Sequence, residues 1–240
     1  MNQRARPLIS TIVPVYNGAP YLADALESVL SQEYRPLELV VVDDGSVDGS
    51  AEIARAYGGR IRYHYQPNRG AGAARNAGVD LATGEYFAFL DADDLWTAGK
   101  LERQMKALDA DGSADMAFGH VQQFVSPDVT DAVRRRVKCP PGKMPGRVPG
   151  TILVRRDAFC RVGSFSSGIG EAVEWTLRAV DIGMRSIMLP DVVLRRRLHA
   201  GNSARLSRGA GREYARVLKA TLDRRRDGGP ASPTSRNTLR

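Results

Sequence analysis

Cysteine is scarce in this chain of 240 residues, which carries two. Cys139 and Cys160 match no metal-ligand spacing and form no disulfide framework, which argues against a stapled scaffold or a zinc module. No apolar run approaches the ~20 residues that a membrane-crossing helix needs. The N-terminal "MNQRARPLIS" lacks the apolar stretch of a secretory signal, so the expected location is the cytoplasm. The arginine-rich C-terminal segment shows no aromatic interleaving of the kind that stacks on bases, so nucleic acid is not the expected partner.

What is present is ordinary in bulk and uneven in layout. A hydrophobic share of 42% and a charged share of 26% suit a globular domain, and the length suffices to bury a real core. The net charge of +8 is concentrated late. Arg195, Arg196, Arg197, Arg205, Arg208, Arg212, Arg216, Lys219, Arg224, Arg225 and Arg226 face only Glu213 and Asp223. The aspartates gather in the first half. Such a layout suits a protein that handles a cation and a polyanion together, and the basic arm would also suit an anionic membrane surface or a lipid-linked acceptor.

Hydrophobic periodicity gives the organisation. "LISTIVPVY" reads as a buried strand ending at "NGAP", and "YLADALESVLSQ" places Leu22, Leu26, Val29 and Leu30 on one helical face. "LELVVV", "RIRYHYQ" and "EYFAFL" read as further strands, separated by helices in "SVDGSAEIARAYGG" and "GAGAARNAGVDLA". Strand and helix alternate at the spacing of parallel βαβ units. Further helices are expected in "KLERQMKALDA", "RDAFCRVG" and "EAVEWTLRAVDIG", and late strands in "MAFGHVQQFV", "GTILVRR", "RSIMLP" and "VVLRRRLH". Residues 126–150, with five prolines, read as a broken loop. The expected division is a tail over 1–7, a first half over 8–110, a second half over 111–204, a basic helix over 205–226 and a disordered tail over 227–240.

In a parallel sheet, ligands bind beyond the carboxyl ends of the strands. Here those ends carry Tyr16–Asn17, Asp43–Asp44, the 67–72 loop and "DADD", Asp91 to Asp94. Asp91 and Asp93 can point the same way from an extended segment and would suit Mg²⁺ or Mn²⁺ with substrate phosphates. A solvated turn is the plain alternative, with Asp94 capping the next helix. Tyr16 reads as a half-buried strand residue or a platform for a base, and Asp43–Asp44 as an Asx turn or an acceptor for a ring N–H. Gly70 and Gly72 precede a helix where an anion is favoured, although Arg75 departs from the dinucleotide fingerprint. His199 is a structural histidine or a metal ligand. Glu171 and Glu174 lie one helical turn apart, as a solvated helix start or as a general base.

"STIVPVYNGAPYLADALESVLSQ", "LELVVVDDGSVDGS", "NRGAGAARNAG" and "GEYFAFLDADD", in that order, closely resemble the family 2 glycosyltransferases of the GT-A fold. A second stretch, "LPDVVLRRRLHAGNS", resembles the family's late strands and terminal histidine segment. The resemblance implies an α/β GT-A fold: a single Rossmann-like, mostly parallel sheet flanked by helices, followed by a C-terminal helical arm. It implies a nucleotide-sugar-binding half over 8–110 and an acceptor-binding half over 111–204. The implied activity is inverting, metal-dependent (Mn²⁺ or Mg²⁺) transfer of a hexosyl group from a nucleotide-sugar donor, UDP-linked, to an acceptor hydroxyl. Pro14 and Tyr16 would border the base, Asp44 would hold the pyrimidine and Asp43 would support that loop. Arg75 and Asp91 would lie near the donor, and Asp93, Asp91 and His199 would form the metal site. The departure is Ala172, which stands where the family carries an Asp after the helix-opening Glu. The expected base is therefore Glu174, with Glu171 as the alternative. Without a base the domain would bind a donor and turn it over weakly.

Overall fold

The computed structural model describes residues 5–136, 139–168 and 170–202, with 215, 219, 223 and 226 as isolated positions beyond them. The expected basic helix over 205–226 and the tail over 227–240 otherwise lie outside the described residues.

The first half is the expected alternation. Strands β1 (Ile9–Val15), β2 (Leu37–Asp43), β3 (Arg62–Tyr65) and β4 (Tyr86–Phe89) are joined by helices α1 (Ala19–Leu30), α2 (Ser50–Ala56) and α3 (Ala71–Leu81). All seven residues of β1 are buried, as a strand covered on both faces requires. The strands pair in parallel in the order β3-β2-β1-β4. Val15 pairs with Asp43 and Asp43 with Tyr65, so the carboxyl ends of β1, β2 and β3 are level. Side-chain alternation splits the core in two. Val13, Ala88 and Leu90 join Leu22, Leu26 and Leu101 on one side, while Ile12, Phe87 and Phe89 join Phe159, Phe165 and Trp175 on the other.

The second half adds β5 (Leu95–Trp96), α4 (Lys100–Ala110), β6 (Met116–Val125), α5 (Asp131–Arg136), β7 (Lys143–Gly146), β8 (Leu153–Arg155), α6 (Arg156–Val162), α7 (Glu171–Asp181) and β9 (Ser186–Leu198). The 9-stranded sheet runs β3-β2-β1-β4-β8-β6-β9-β5, with β7 on β6. It stays parallel through β4 and between β6 and β9, and is antiparallel at the other pairings.

Two expectations need correction. Residues 126–150 are not structureless, because β7 pairs with β6 and α5 precedes it. "RSIMLP" and "VVLRRRLH" form one strand of 13 residues. Its register against β6 jumps from Phe118–Met188 to His120–Val192, which leaves Pro190 in the irregularity. Proline has no N–H to give the ladder, so a bulge carries the strand past it. Among the described residues no helix is long and apolar enough to cross a membrane.

Candidate active site

The level strand ends bring acidic residues to one edge, and most of them are already engaged. Asp43 is fully buried; Oδ1 accepts from the Ser46 N–H at 2.8 Å and Oδ2 from the Tyr63 hydroxyl at 2.8 Å. Burial and that bond push the Tyr63 hydroxyl up to about 12. Asp44 is buried too. Its Oδ1 accepts from Gln66 Nε2 at 2.7 Å and the Arg69 N–H at 2.9 Å, and its Oδ2 from the Gly70 N–H at 2.8 Å. One carboxylate thus pins the loop after β3 and the residue that opens α3. Gly70 has φ +89°, a conformation that a side chain would strain. Asn17 ties the loops after β1 and β2, its Oδ1 accepting from the Val47 N–H and its own N–H donating to Ser46 Oγ. The shelf so formed presents Tyr16, 54% exposed, in front of buried Pro14.

The turn after β4 closes on itself through the Asp94 N–H and the Asp91 carbonyl. It sends its carboxylates three ways. Asp91 Oδ1 takes the Arg75 Nη2 donor at 2.5 Å. Asp93 Oδ2 lies 2.9 Å from His199 Nε2 and 3.1 Å from Asn202 Nδ2. Asp94 turns inward, and its Oδ1 accepts from the Arg197 N–H at 2.8 Å. Burial first, then Asp93 and Asp91, hold the Asp94 carboxyl well above the usual carboxylate range. Asp94 therefore caps no helix: β5 follows it directly, and α4 begins later, after Gly99.

The His199 ring is fixed on both sides. The Gly201 N–H donates to Nδ1 at 3.1 Å, so the proton sits on Nε2 and is donated to Asp93. Tyr21 lies against the ring at 4.5 Å between centroids. Arg197 clamps the turn from β9, with Nε donating to the Asp93 carbonyl and Nη2 paired to Asp24 at 2.9 Å.

Helix α7 begins at Glu171, whose Oε1 receives Arg75 Nη1 at 2.6 Å. Glu174, one turn on, lies 3.5 Å from Arg178 Nη2. Ala172 lines a small apolar cavity of about 10 Å³ together with Phe89, Phe118, Phe165 and Trp175. The position where the resemblance expects an Asp thus faces apolar surroundings.

The structure therefore brings Asp93 to His199, and Asp91 to Arg75 and Glu171, while Glu174 pairs within α7. Among the described residues no three His, Cys, Asp or Glu side chains converge as a ready metal cluster. A divalent cation that draws its other ligands from phosphate and water would take the place of the proton between Asp93 and His199, with Nδ1 then protonated and released by the Gly201 N–H. Sequence reasoning missed Arg197, Asn202 and Tyr21. Arg197 was hidden in a run of three arginines: alternation puts it on the same face of β9 as the exposed Arg195, so no local signal marked it as the buried one.

Residues 10–163 match the family described as Glycosyl transferase family 2. An uncharacterized glycosyltransferase of Rickettsia prowazekii, RP339, is 30% identical over 220 residues, covering 87% of this chain and 69% of that protein. TarS of S. aureus, solved in complex with UDP-GlcNAc, superposes with a TM-score of 0.71 at 21% identity over 90% of this chain and 65% of its own. The mannosyltransferase PcManGT of Pyrobaculum calidifontis, solved with GDP-Man and Mn²⁺, gives 0.65 at 26% identity over 95% and 66%. The chain belongs to glycosyl transferase family 2, and its sheet is that of the GT-A fold. It spans from 15% to 69% of the length of the curated relatives it matches; for RT0329 of Rickettsia typhi, 41% identical over 132 residues and 51% of this chain, the share is 42%.

Proposed function

We propose that this chain is an inverting glycosyltransferase that moves a sugar from a nucleoside-diphosphate donor, UDP-linked, to an acceptor hydroxyl with the help of Mn²⁺ or Mg²⁺. The observation that carries the reading is the contact of Asp93 with His199 beside the shelf of Tyr16, Pro14 and Asp44. Support comes from topology: Tyr16 follows β1 and Asp93 follows β4, which is β1's parallel neighbour. The donors solved with TarS and PcManGT, UDP-GlcNAc and GDP-Man, support this class of ligand.

In this reading Tyr16 stacks on the base, Asp44 holds the pyrimidine as well as the loop that opens α3, and Asp43 supports the neighbouring loop. Asp93 and His199 hold the cation, with Asp91 toward the ribose or a metal-bound water. When bound, the cation supplies positive charge against the growing charge of the leaving diphosphate. Glu174 is the base that takes the proton of the acceptor hydroxyl as its oxygen attacks C1 opposite the diphosphate. Glu171 is the weaker candidate, because Arg75 already holds its carboxylate at 2.6 Å. A second reading, donor binding with weak turnover, draws on Ala172 and its apolar surroundings.

Thermal unfolding in the presence of UDP- and GDP-sugars, with and without Mn²⁺, tests the reading. A rise in the midpoint that needs both nucleotide and metal is expected. No nucleotide-dependent rise under any condition would overturn it.

A further inference from the structure

Arg75 sits in the middle of α3 with 4% of its surface exposed. A guanidinium so placed is costly unless its charge is met. Here it is met twice, by Asp91 at 2.5 Å through Nη2 and by Glu171 at 2.6 Å through Nη1. Burial alone would make the Arg75 charge harder to hold, yet the two carboxylates outweigh it and bind its proton more tightly. The face of the Phe165 ring lies 5.7 Å from the guanidinium carbon and closes the space beside it.

The same face of α3 makes two more attachments to the segment that leads into α7. Asn76 exchanges two hydrogen bonds with the Phe165 backbone, each 2.9 Å. A Cβ on Gly72 would lie 2.4 Å from the Ser166 carbonyl oxygen, so only glycine permits this approach. At its N-terminus α3 is held by Asp44 through the Gly70 N–H. This one helix therefore touches Asp44, Asp91 and the start of α7.

We propose that Arg75 is a positioning residue that couples the donor edge to α7: one guanidinium, divided between Asp91 and Glu171, fixes both carboxylates without itself contacting a ligand. The proposal rests on the reading of this edge as a nucleotide-sugar site. It assigns Arg75 a task other than the donor contact that the family resemblance implies, because the guanidinium is buried and each terminal nitrogen gives an N–H to a carboxylate of the protein. It also assigns Glu171 to holding Arg75 rather than to proton transfer.

The test is calorimetric titration of UDP in Mn²⁺ into the full chain and into Glu171→Gln, Arg75→Lys and the double variant. Thermal unfolding without ligand runs alongside to confirm that each folds. Glu171 is assigned no donor contact, so a purely structural role would leave UDP affinity unchanged in a folded Glu171→Gln. The coupling predicts roughly a three- to tenfold loss. Arg75→Lys should lose as much, since a single ammonium cannot span both partners as a planar fork does. The double variant should be no worse than about twofold below the weaker single one. The proposal is overturned if Glu171→Gln or Arg75→Lys binds UDP as tightly as the unmodified chain, or if the two losses multiply. Failure of the unmodified chain to bind UDP at all would instead sink the nucleotide-sugar reading on which the coupling rests. If Arg75→Lys does not fold, Glu171→Gln decides alone by the same criterion.

Discussion

His199 Nε2 lies 2.9 Å from Asp93 Oδ2, although the two belong to opposite halves of the sequence. The contact is made because β9 returns beside β5, immediately after the aspartate turn. Asp93→Asn and His199→Ala should each remove the Mn²⁺-dependent part of the thermal shift given by UDP. Both side chains are partly accessible, so unfolding without ligand should move by no more than about 1 kcal/mol. A full Mn²⁺-dependent shift in both variants would contradict the metal assignment.

Asp44 has a structural and a binding consequence that can be separated. Its two oxygens accept three hydrogen bonds from the loop that opens α3. Asp44→Asn presents an amide NH₂ to donors, so about 1–3 kcal/mol of stability should be lost in denaturant unfolding. UDP affinity should fall at least about tenfold, as one misplaced charged hydrogen bond suggests, while pyrophosphate with Mn²⁺ binds as before. Equal losses for both ligands would place the effect outside base recognition.

Glu174→Gln should remove transfer by about 10²- to 10⁴-fold, the usual worth of a general base, with UDP affinity retained. Ala172→Asp is the complementary variant. Its carboxyl would enter the cavity lined by Phe89, Phe165 and Trp175, so about 1–3 kcal/mol of stability should be lost with no gain in turnover. Faster transfer by Ala172→Asp would show that the base is missing rather than relocated. Unchanged transfer by Glu174→Gln would end its candidacy.

Lys100 is fully buried, its ammonium donating to Gln104 Oε1 at 2.6 Å and lying 4.1 Å from the Trp96 ring centroid. Burial, then Arg103, hold its amine well below the usual lysine range. A depressed lysine contributes stability above its unfolded value of about 10.4, and that contribution is lost as pH falls through the folded value. Wild-type stability should therefore rise with pH across this window relative to Lys100→Met, which has nothing to titrate there. Unfolding midpoints of the two proteins at roughly pH 7, 8, 9 and 10 read the difference directly. Parallel pH profiles would contradict it.

The parallel half was legible because its strands are apolar and β-branched and its helices amphipathic, with turns between them. Local pattern sufficed there. It did not suffice at Asp94, whose neighbours suggested a cap but whose side chain is claimed by the Arg197 backbone on a distant strand. Nor could it join the two halves of β9 across Pro190, since the bulge is defined by pairing with β6. At the site, acid residues at strand ends were readable from topology. Their partners were not: that Arg75 serves two carboxylates and that Asn202 and Arg197 brace Asp93 depends on which elements become neighbours. Ala172 stood out from sequence, but only the packing shows that its position is apolar.

The central claim is a cation site at Asp93 and His199 that serves a nucleotide diphosphate. Titration of Mn²⁺ followed by its electron paramagnetic resonance signal, with UDP present or absent, tests it most directly in the unmodified chain and in Asp93→Asn. Free Mn²⁺ should disappear stoichiometrically with the unmodified chain when UDP is present, and at least about tenfold less tightly with Asp93→Asn, as loss of a charged ligand implies. Equal Mn²⁺ uptake by both proteins, or none beyond that of UDP alone, would contradict the account.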